Sequence, residues 1–451
     1  MKNQYNAHLL AWLVLVILVF AISKTHAQSI SLGMNDAVKM AVAHNRELKS
    51  DSLNIGRAQQ QTIVSKALLL PNIGITGQYQ RYFQKPVFFG LGSGAPTTSK
   101  AVPYSRFGGD DQVGATVGLV QSLYNPSAVA GLKQAKLYEQ QSVLLYRDKE
   151  ADVTATVKQV YLRMLVLAKR LQLQMESITR NKKALEDSRS LLAQGKALRV
   201  DTLRAYTNLQ NLQPDIMRLT YAINVSRQQL KVLLALEEKA ELTLTDSLSY
   251  NVADVLPDES GVYTEALHQR PDLKALELNK TISLSEVDVA KAGKMPVLNL
   301  ISAYQVQSQA NGFKWGGSSW PPVSYAGLQF AIPLFSGNAN KAKIARARIG
   351  AEQSAVNYTN AQEQLRVSVK QVVANLAETT QRIQVQNKVA ETAALSYSIT
   401  QYRYERGVAS RLELLDAELG LTTAKSNYLE AVYDYQSARI DLERVLAAKG
   451  N

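Results

Sequence analysis

The sequence YERGVASRLELLDA at residues 404–417 has a counterpart 212 positions earlier, where residues 192–205 are LAQGKALRVDTLRA. At this offset Gly195 aligns with Gly407, and the tetrapeptide VKQV at 157–160 aligns with an identical VKQV at 369–372. The sequence therefore contains one unit used twice, over residues 28–236 and 260–451, joined by a segment of different composition at 237–259.

Each repeat predicts a helix, a strand, a loop, a second strand, a very long helix, a tight turn and another long helix. The last helix has apolar residues seven apart (Leu414, Leu421, Tyr428, Tyr435 and Leu442) beside a row of alanines with the same spacing. Such a repeat keeps one packing seam on one side of a supercoiled helix. Residues 127–192 predict a helix on the order of 100 Å long, too long for a compact globule. Pro214 removes a backbone donor and predicts a kink in the following helix.

Three segments alternate apolar and polar residues with the period of a strand, around residues 113–119, 298–306 and 326–332. We expect four such strands, two in each repeat, separated by glycine-rich and aromatic loops at 87–110 and 311–321. In a membrane barrel their apolar face would meet lipid, but four strands cannot close a barrel. An open edge in lipid leaves unpaired backbone groups, so several copies must assemble. The predicted fold class is mainly α with a membrane β-barrel: a long coiled-coil helical barrel plus four strands per chain.

Residues 1–27 have a basic start, an apolar run of 14 residues and a small residue before Gln28, which predicts a secretory signal peptide. The sequence has no cysteine, so we expect no disulfide, no thiolate metal site and no amino-terminal lipid anchor. Only His44 and His268 remain after cleavage, and no catalytic or nucleotide-binding motif is present. We therefore predict neither an enzyme nor a metal or cofactor site, and no nucleic-acid partner.

Residues 404–417, their counterpart around Gly195, and Ser336-Gly337 after residues 333–335 resemble the TolC family of outer membrane efflux proteins. The resemblance extends over about residues 30–448. It implies a homotrimer with a twelve-stranded barrel in the lipid of the outer membrane and a twelve-helix tube through the periplasm. It also implies a periplasmic adaptor protein and an inner-membrane pump or secretion ATPase as partners.

The resemblance assigns roles to the two turns between the long helices, which would be the adaptor-contacting tips. The tip residues are Gly195, Lys196, Ala197 and Leu198 in the first repeat and Gly407, Val408, Ala409 and Ser410 in the second. Both glycines are expected to adopt the left-handed turn conformation. Asp201 and Tyr404 match the family's periplasmic gate pair. A second gate contact of the family is absent, because Val200 and Ala409 replace its Thr and Arg; Arg411 is the candidate substitute.

Glu413 and Asp416 match the acidic rings at the family's narrowest point, where six carboxylates of a trimer would favour cations. Pro71 and Pro296 match the joints between the helical tube and the barrel. These matches imply an outer-membrane exit duct that exports small molecules. A duct for type I protein secretion and a periplasmic coiled-coil scaffold or adhesin without a pore are the alternatives. Substrate identity is not encoded in these features.

Overall fold

A computed structural model describes residues 29–89, 104–248, 256–312 and 319–447. The predicted signal peptide lies outside the described residues. The chain forms two compact units, and each takes parts from both repeats. We call Met1–Ser50, Arg147–Arg270 and Gln364–Asn451 the helical unit, and Asp51–Tyr146 and Pro271–Glu363 the sheet unit.

The elements follow one another in an order that confirms the predicted duplication. The first repeat has β1 (Ser29–Leu32), α1 (Met34–His44), α2 (Arg46–Ala67), β2 (Asn72–Arg81), β3 (Val87–Phe89), β4 (Tyr104–Arg106), β5 (Asp111–Tyr124), α3 (Pro126–Ala193), α4 (Arg199–Asn211) and α5 (Gln213–Leu233). The strand β6 (Glu241–Leu244) follows in the joining segment. The second repeat has α6 (Glu259–Gln269), α7 (Pro271–Ala292), β7 (Val297–Ala310), β8 (Pro322–Ala331), α8 (Ala339–Glu405) and α9 (Arg411–Val445).

The sheet unit contains a four-stranded antiparallel sheet with the order β2–β5–β7–β8. Because side chains alternate along a strand, the register places most of the apolar positions of the four strands on one face, although Val120, Ile301, Val323 and Tyr325 lie on the other. The apolar face carries Ile73, Ile75, Tyr79, Val113, Val117, Leu119, Leu300, Tyr304, Val306, Leu328 and Phe330. The other face carries Gln78, Gln80, Gln112, Thr116, Gln305 and Gln307. The apolar face is unusually open: Ile75 is 76% exposed and Leu328 is 66% exposed.

Each repeat enters the sheet through the same turn. The N–H groups of Leu69 and Leu70 donate to the carbonyls of Lys66 and Ala67, at 3.0 and 3.1 Å. In the second repeat, residues 294 and 295 donate to residues 291 and 292 in the same way, at 3.0 and 2.9 Å. Pro71 and Pro296 each directly precede the first residue of a strand, where a proline restricts the preceding residue to extended backbone.

The helical unit contains two helical hairpins, formed by α3 with α4 and α5, and by α8 with α9. The predicted seam of α9 is buried at Leu414, Leu421 and Tyr435 and half-buried at Tyr428 and Leu442, and the buried Ala424, Ala431 and Ala438 lie beside it. Leu376 and Ile383 of α8 pack against this row, and Leu162 and Val166 of α3 pack against Ile440. The interruption predicted near Pro214 is present, because α4 ends at Asn211 and α5 begins at Gln213.

Both hairpin turns have the predicted left-handed glycine. Gly195 has φ +71° and Gly407 has φ +74°. The N–H of Gly407 donates to the Tyr404 carbonyl and the N–H of Val408 to the Arg403 carbonyl, both at 2.9 Å. Residues 195 and 196 donate to residues 192 and 191 in the same pattern. Each long helix therefore ends in a Schellman motif, which satisfies carbonyls that a helix end otherwise leaves free.

Two features of the fold were not predicted. The loop predicted at 87–110 contains β3 and β4, which pair antiparallel, so the prediction of an irregular loop was wrong for those residues. The joining segment contains β6, which pairs parallel with β1. Tyr161 of α3 is fully buried against this pair and donates its hydroxyl to the Leu32 carbonyl at 2.9 Å. Among the described residues, we find no helix with the length and apolar character needed to span a bilayer.

Asn45 joins three segments of the helical unit. Its Oδ1 accepts the N–H groups of Glu47 (2.9 Å) and Leu48 (3.2 Å) and so caps α2, while its Nδ2 donates to the Leu233 carbonyl at 2.9 Å. Asn45 is only 4% exposed, so its amide relies on these three hydrogen bonds rather than on water.

We predict that Asn45→Ala lowers the free energy of unfolding by about 2 kcal/mol, because it removes a helix cap and takes the donor from the carbonyl of the half-buried Leu233. Urea or thermal unfolding followed by circular dichroism measures this. Asn54→Ala is the matched control, since Asn54 is exposed and bonds only Asp51. Equal stability of the two variants would contradict the assigned role of Asn45.

Candidate gate and pore residues

The first turns of α4 and α9, directly after the glycine turns, hold equivalent carboxylates. Asp201 and Glu413 align at the repeat offset of 212. Oδ2 of Asp201 accepts the N–H of Leu198 at 3.2 Å, and Oε1 of Glu413 accepts the N–H of Ser410 at 3.1 Å. In the second repeat the Ser410 hydroxyl also accepts the N–H of Glu413 at 3.2 Å, which completes a capping box. Leu198 has no side-chain acceptor, so the first repeat has only half of this arrangement.

The tip residues differ in how accessible they are. Leu198 and Val408 are both 69% exposed, and Lys196 and Ser410 are exposed beside them. Ala197 is half-buried and Ala409 is buried. The tips therefore offer an apolar side chain on each turn, framed by small residues.

The two predicted gate residues each have a partner other than the one predicted. Asp201 caps α4, as described above. Tyr404 lies under the guanidinium of Arg411, whose Cζ is 5.6 Å from the ring centroid, a cation–π distance. Within the described residues no hydrogen bond joins Asp201 to Tyr404. Nε and Nη2 of Arg411 are buried and have no hydrogen-bond partner there.

The predicted constriction residues share a groove of about 400 Å³. It is lined by Glu413, Asp416, Ala417 and Gly420 of α9 and by Ala393, Ser396 and Thr400 of α8. Glu413 and Asp416 are both exposed. Hydrogen bonds from the backbone and hydroxyl of Ser410 lower the pKa of Glu413, and Arg403 at 3.6 Å acts in the same direction. Glu413 is therefore ionised at neutral pH.

A buried charge lies one helical turn further along α9 and was not predicted. Glu418 is 6% exposed, and its Oε1 accepts from Asn181 Nδ2 at 2.7 Å and from Ser177 Oγ at 3.2 Å. Arg180 Nε lies 3.3 Å from the same oxygen. The Arg180 guanidinium is also 5.9 Å from the ring centroid of Tyr397, so this cluster ties α3, α8 and α9 together.

Burial raises the pKa of Glu418, although Arg180 and the Ser177 hydroxyl pull it down. A buried carboxylate is tolerated only when it is paired and hydrogen-bonded, and both conditions hold here. Position 418 is four residues after Leu414 and three before Leu421, so helical periodicity places it beside the seam, but nothing local to α9 shows which partners would hold a carboxylate there. The Ser-x-x-Glu signature at 410–413, by contrast, was available in the sequence as a capping-box signal.

Among the described residues, no group of three or more His, Asp or Glu side chains is arranged to hold a metal ion. The side chains described above form ion pairs, helix caps and a cation–π contact, and they include no nucleophile–base pair.

Comparison with known proteins places these features in one family. The sequence matches the family described as outer membrane efflux protein twice, over residues 37–236 and 262–448. The toluene efflux pump outer membrane protein TtgF of Pseudomonas putida is 21% identical over 421 residues, 92% of this chain and 82% of that protein. The cation efflux system protein CusC of Escherichia coli is 26% identical over 192 residues, 42% of this chain and 40% of that protein.

Solved structures share the fold. The Campylobacter jejuni CmeC outer membrane channel aligns with a TM-score of 0.74 at 17% identity, covering 92% of this chain and 85% of that chain. The open state of the Neisseria gonorrhoeae MtrE outer membrane channel aligns with a TM-score of 0.71 at 19% identity, covering 94% and 93%.

The Glu418 cluster gives a prediction with a defined sign. Because the pKa of Glu418 is raised, the folded chain holds this proton more tightly than the unfolded chain, and stability falls as pH rises through the raised pKa. Glu418→Gln keeps an acceptor oxygen but has no charge to desolvate. We expect the stability of Glu418→Gln relative to the natural protein to increase as pH rises from about 4.5 to about 7.5.

Glu418→Ala removes both the charge and the acceptor oxygens, so it leaves Arg180 without its partner. It should lower the free energy of unfolding by roughly 3 kcal/mol. Glu186→Ala, at an exposed position of α3, is the control. Thermal unfolding at several pH values measures all three variants. A constant difference between the natural protein and Glu418→Gln across that range would refute the raised pKa.

Proposed function

This chain belongs to the outer membrane efflux protein family, and we propose that it is the outer-membrane exit duct of a tripartite efflux system. Solutes would leave the periplasm through it, an adaptor protein would join it to an inner-membrane pump, and the pump would supply the energy. The observation that carries the proposal is the sheet: four strands with one largely apolar face, joined by short connections to duplicated long helices.

The edges of this sheet support assembly from several copies. Within the described residues, β2 and β8 each pair on one side only. In hydrocarbon the free edge of a strand would leave N–H and C=O groups without partners, each costing several kcal/mol. Three copies joined edge to edge would close a twelve-stranded barrel, with the apolar face toward lipid and the glutamine-rich face toward a wet lumen.

The helical hairpins support a tube as the second part of the duct. Met217, Tyr221, Leu395 and Leu419 remain more than 60% exposed on single chains. Exposed large apolar residues along a coiled coil favour contact with neighbouring helices. We propose that the hairpins of three copies close a twelve-helix tube and bury part of this surface.

The gate would be formed where the helices leave their turns. Asp201 uses Oδ2 to cap α4, which leaves Oδ1 able to accept the hydroxyl of Tyr404. A carboxylate–phenol hydrogen bond is a modest link that a shift of the helices can break. The unpartnered Nε and Nη2 of Arg411 are donors for a further contact in the closed assembly. Opening would exchange these links for water.

The acidic groove on α9 would act as the selectivity filter. Glu413 and Asp416 lie three residues apart and share a face of the helix. In a trimer they would place six carboxylates around one axis, an arrangement that draws in cations. The relatives TtgF and CusC are named for toluene and for cation efflux. We therefore propose that the pump, rather than this chain, chooses the substrate.

The tips would contact the adaptor, because their exposed Leu198 and Val408 lie on rigid glycine turns. We predict that Gly407→Trp abolishes efflux, since a bulky residue at positive φ strains the turn and covers its surface. Accumulation of a fluorescent dye in cells that depend on this gene measures the effect.

Gly312→Trp is a matched control for this test. Gly312 also has a φ of +71°, with open space where a side chain would project, but it lies in the loop between β7 and β8. Dye accumulation in this variant should match that of the natural protein. Normal efflux by Gly407→Trp, with the protein present in the outer membrane, would exclude the tip as the docking point.

We predict that Glu413→Gln combined with Asp416→Asn weakens both the cation preference and the block by divalent cations in planar-bilayer recordings. The fold should be retained, because a glutamine at 413 can still accept the Ser410 N–H of the capping box. The control is Glu186→Gln with Asp187→Asn, which removes two exposed carboxylates from α3. Unchanged selectivity in trimers of the double variant, or an equal change in the control, would return both residues to the role of surface charges.

A further inference from the structure

A concentration of unpaired positive charge lies beyond the ends of strands β5 and β8, where the two long helices begin. The first turns of α8 carry Lys341, Lys343, Arg346 and Arg348, and the first acidic residue of this helix is Glu352. The first turns of α3 carry Lys133 and Lys136, and its first acidic residue is Glu139. All six basic side chains are exposed, and none forms an ion pair within the described residues. We call these six residues the basic collar.

The collar lies at one level of the sheet unit. The register pairs Tyr124 with Leu298 and Ala331 with Val297, so the last residues of β5 and β8 both lie beside the first residues of β7. The helices α3 and α8 begin at 126 and 339, shortly after those strand ends. At 1.5 Å per residue, the collar residues lie within about 15 Å of the start of their helices.

Helix stability does not explain the collar. The amino terminus of a helix carries partial positive charge and favours acidic side chains, yet neither α3 nor α8 has an acid in its first turn. Lys341 and Lys343 therefore weaken the helix end on which they stand. They are also not required by the duplication, because the residues aligned with them at the 212 offset are Val129 and Gly131.

The neighbouring helix ends add to the positive charge. Lys66 and Lys291 occupy equivalent places in the two entry turns, and Lys294 is exposed three residues further on. The acids in this part of α7 are already engaged: Asp288 lies 3.6 Å from Lys291, and Glu286 accepts the Tyr138 hydroxyl at 3.3 Å. At the other end of the strands the basic residues are paired with acids: Lys85 with Asp110 at 3.2 Å, and Arg81 with Asp111 at 3.6 Å.

We propose that the basic collar binds the phosphate groups of anionic phospholipids in the leaflet nearest the helices. This inference rests on the proposed function, which places the apolar face of the sheet in the outer membrane. Lipid headgroups would then lie at the level of the strand ends, where α3 and α8 begin. Anionic lipid attracts basic segments that lie within a Debye length, about 10 Å, of its surface.

The geometry of α8 makes the collar accessible from lipid whichever side of the helix faces the lumen. Lys341 and Arg348 are seven residues apart and share one face, whereas Lys343 and Arg346 lie on the nearly opposite face. The long apolar stems of lysine and arginine allow the charge to reach headgroups while the methylenes rest on apolar surface. One pair can therefore contact lipid headgroups while the other faces water.

The test uses purified trimers of the full chain, with native mass spectrometry to count bound lipid. Phosphatidylglycerol, phosphatidylethanolamine and inorganic phosphate are the three probes. The collar variant combines Lys341→Gln, Lys343→Gln, Arg346→Gln and Arg348→Gln. The control combines Lys182→Gln, Lys183→Gln, Arg189→Gln and Lys388→Gln, four exposed basic residues of the helical unit.

The natural trimer and the control should bind phosphatidylglycerol in preference to phosphatidylethanolamine. The collar variant should lose this preference, with phosphatidylglycerol affinity lower by roughly an order of magnitude. Charge-retaining swaps at the same four positions should preserve binding. If the collar variant fails to form trimers, Lys133→Gln with Lys136→Gln should show a smaller loss in the same direction.

Equal binding of the two lipids, or unchanged binding in the collar variant, would overturn the proposal. Competition by inorganic phosphate at low millimolar concentration would identify a free-anion site instead and would also overturn it. A collar variant with normal lipid binding but altered ion selectivity would assign the charges to the lumen. Failure of the natural protein to form any detergent-stable trimer would count against the proposed function, not against the collar.

Discussion

Backbone hydrogen bonding at the edges of the four-stranded sheet limits the environments and assemblies in which this chain is stable. β5 and β7 are paired on both sides, whereas β2 and β8 each have one edge without a partner in the described residues. In water such an edge is solvated, but in lipid it has no donor or acceptor to meet. The apolar face formed by Ile75, Val117 and Leu328 makes water an unfavourable place for this sheet. Edge-to-edge assembly within a membrane would meet both demands, because a neighbouring edge would supply the missing hydrogen bonds and lipid would cover the apolar face.

Short connections join several strands to the helices: Tyr124 ends β5 and Pro126 begins α3, and Pro71 and Pro296 lead directly into β2 and β7. Within the helical unit the helices pack through heptad seams, and small residues such as Ala424 and Ala431 let the seam of α9 approach its neighbours closely.

Much of this architecture could be predicted because it depends on periodic or conformational signals. The seven-residue spacing in α9, the alternation in the strands and the left-handed Gly195 and Gly407 all leave local traces in sequence. The pairing of β1 with β6 leaves no such trace, because it joins short segments far apart in the chain. The Glu418 cluster was missed for a related reason: the partners that satisfy this carboxylate, Asn181 and Arg180, lie on another helix. Where a side chain points is set by packing that no single helix encodes.

Comparison of the two repeats separates what the backbone demands from what side chains add. The glycine turns at 195 and 407 have the same hydrogen bonds, as do the entry turns near residues 66 and 291, so these positions are constrained by geometry. The polar residues around them have diverged. Leu198 stands where Ser410 completes a capping box, and Val129 and Gly131 stand where Lys341 and Lys343 add charge. The change from Leu198 to Ser410 adds one side-chain cap to a helix end, whereas the added charges of Lys341 and Lys343 form no ion pair within the described residues. Charges that the first repeat lacks at the aligned positions, such as Asp416, Lys341 and Lys343, therefore need a cause outside the fold, and the two proposals supply one: ions near Asp416, and anionic headgroups at the basic collar.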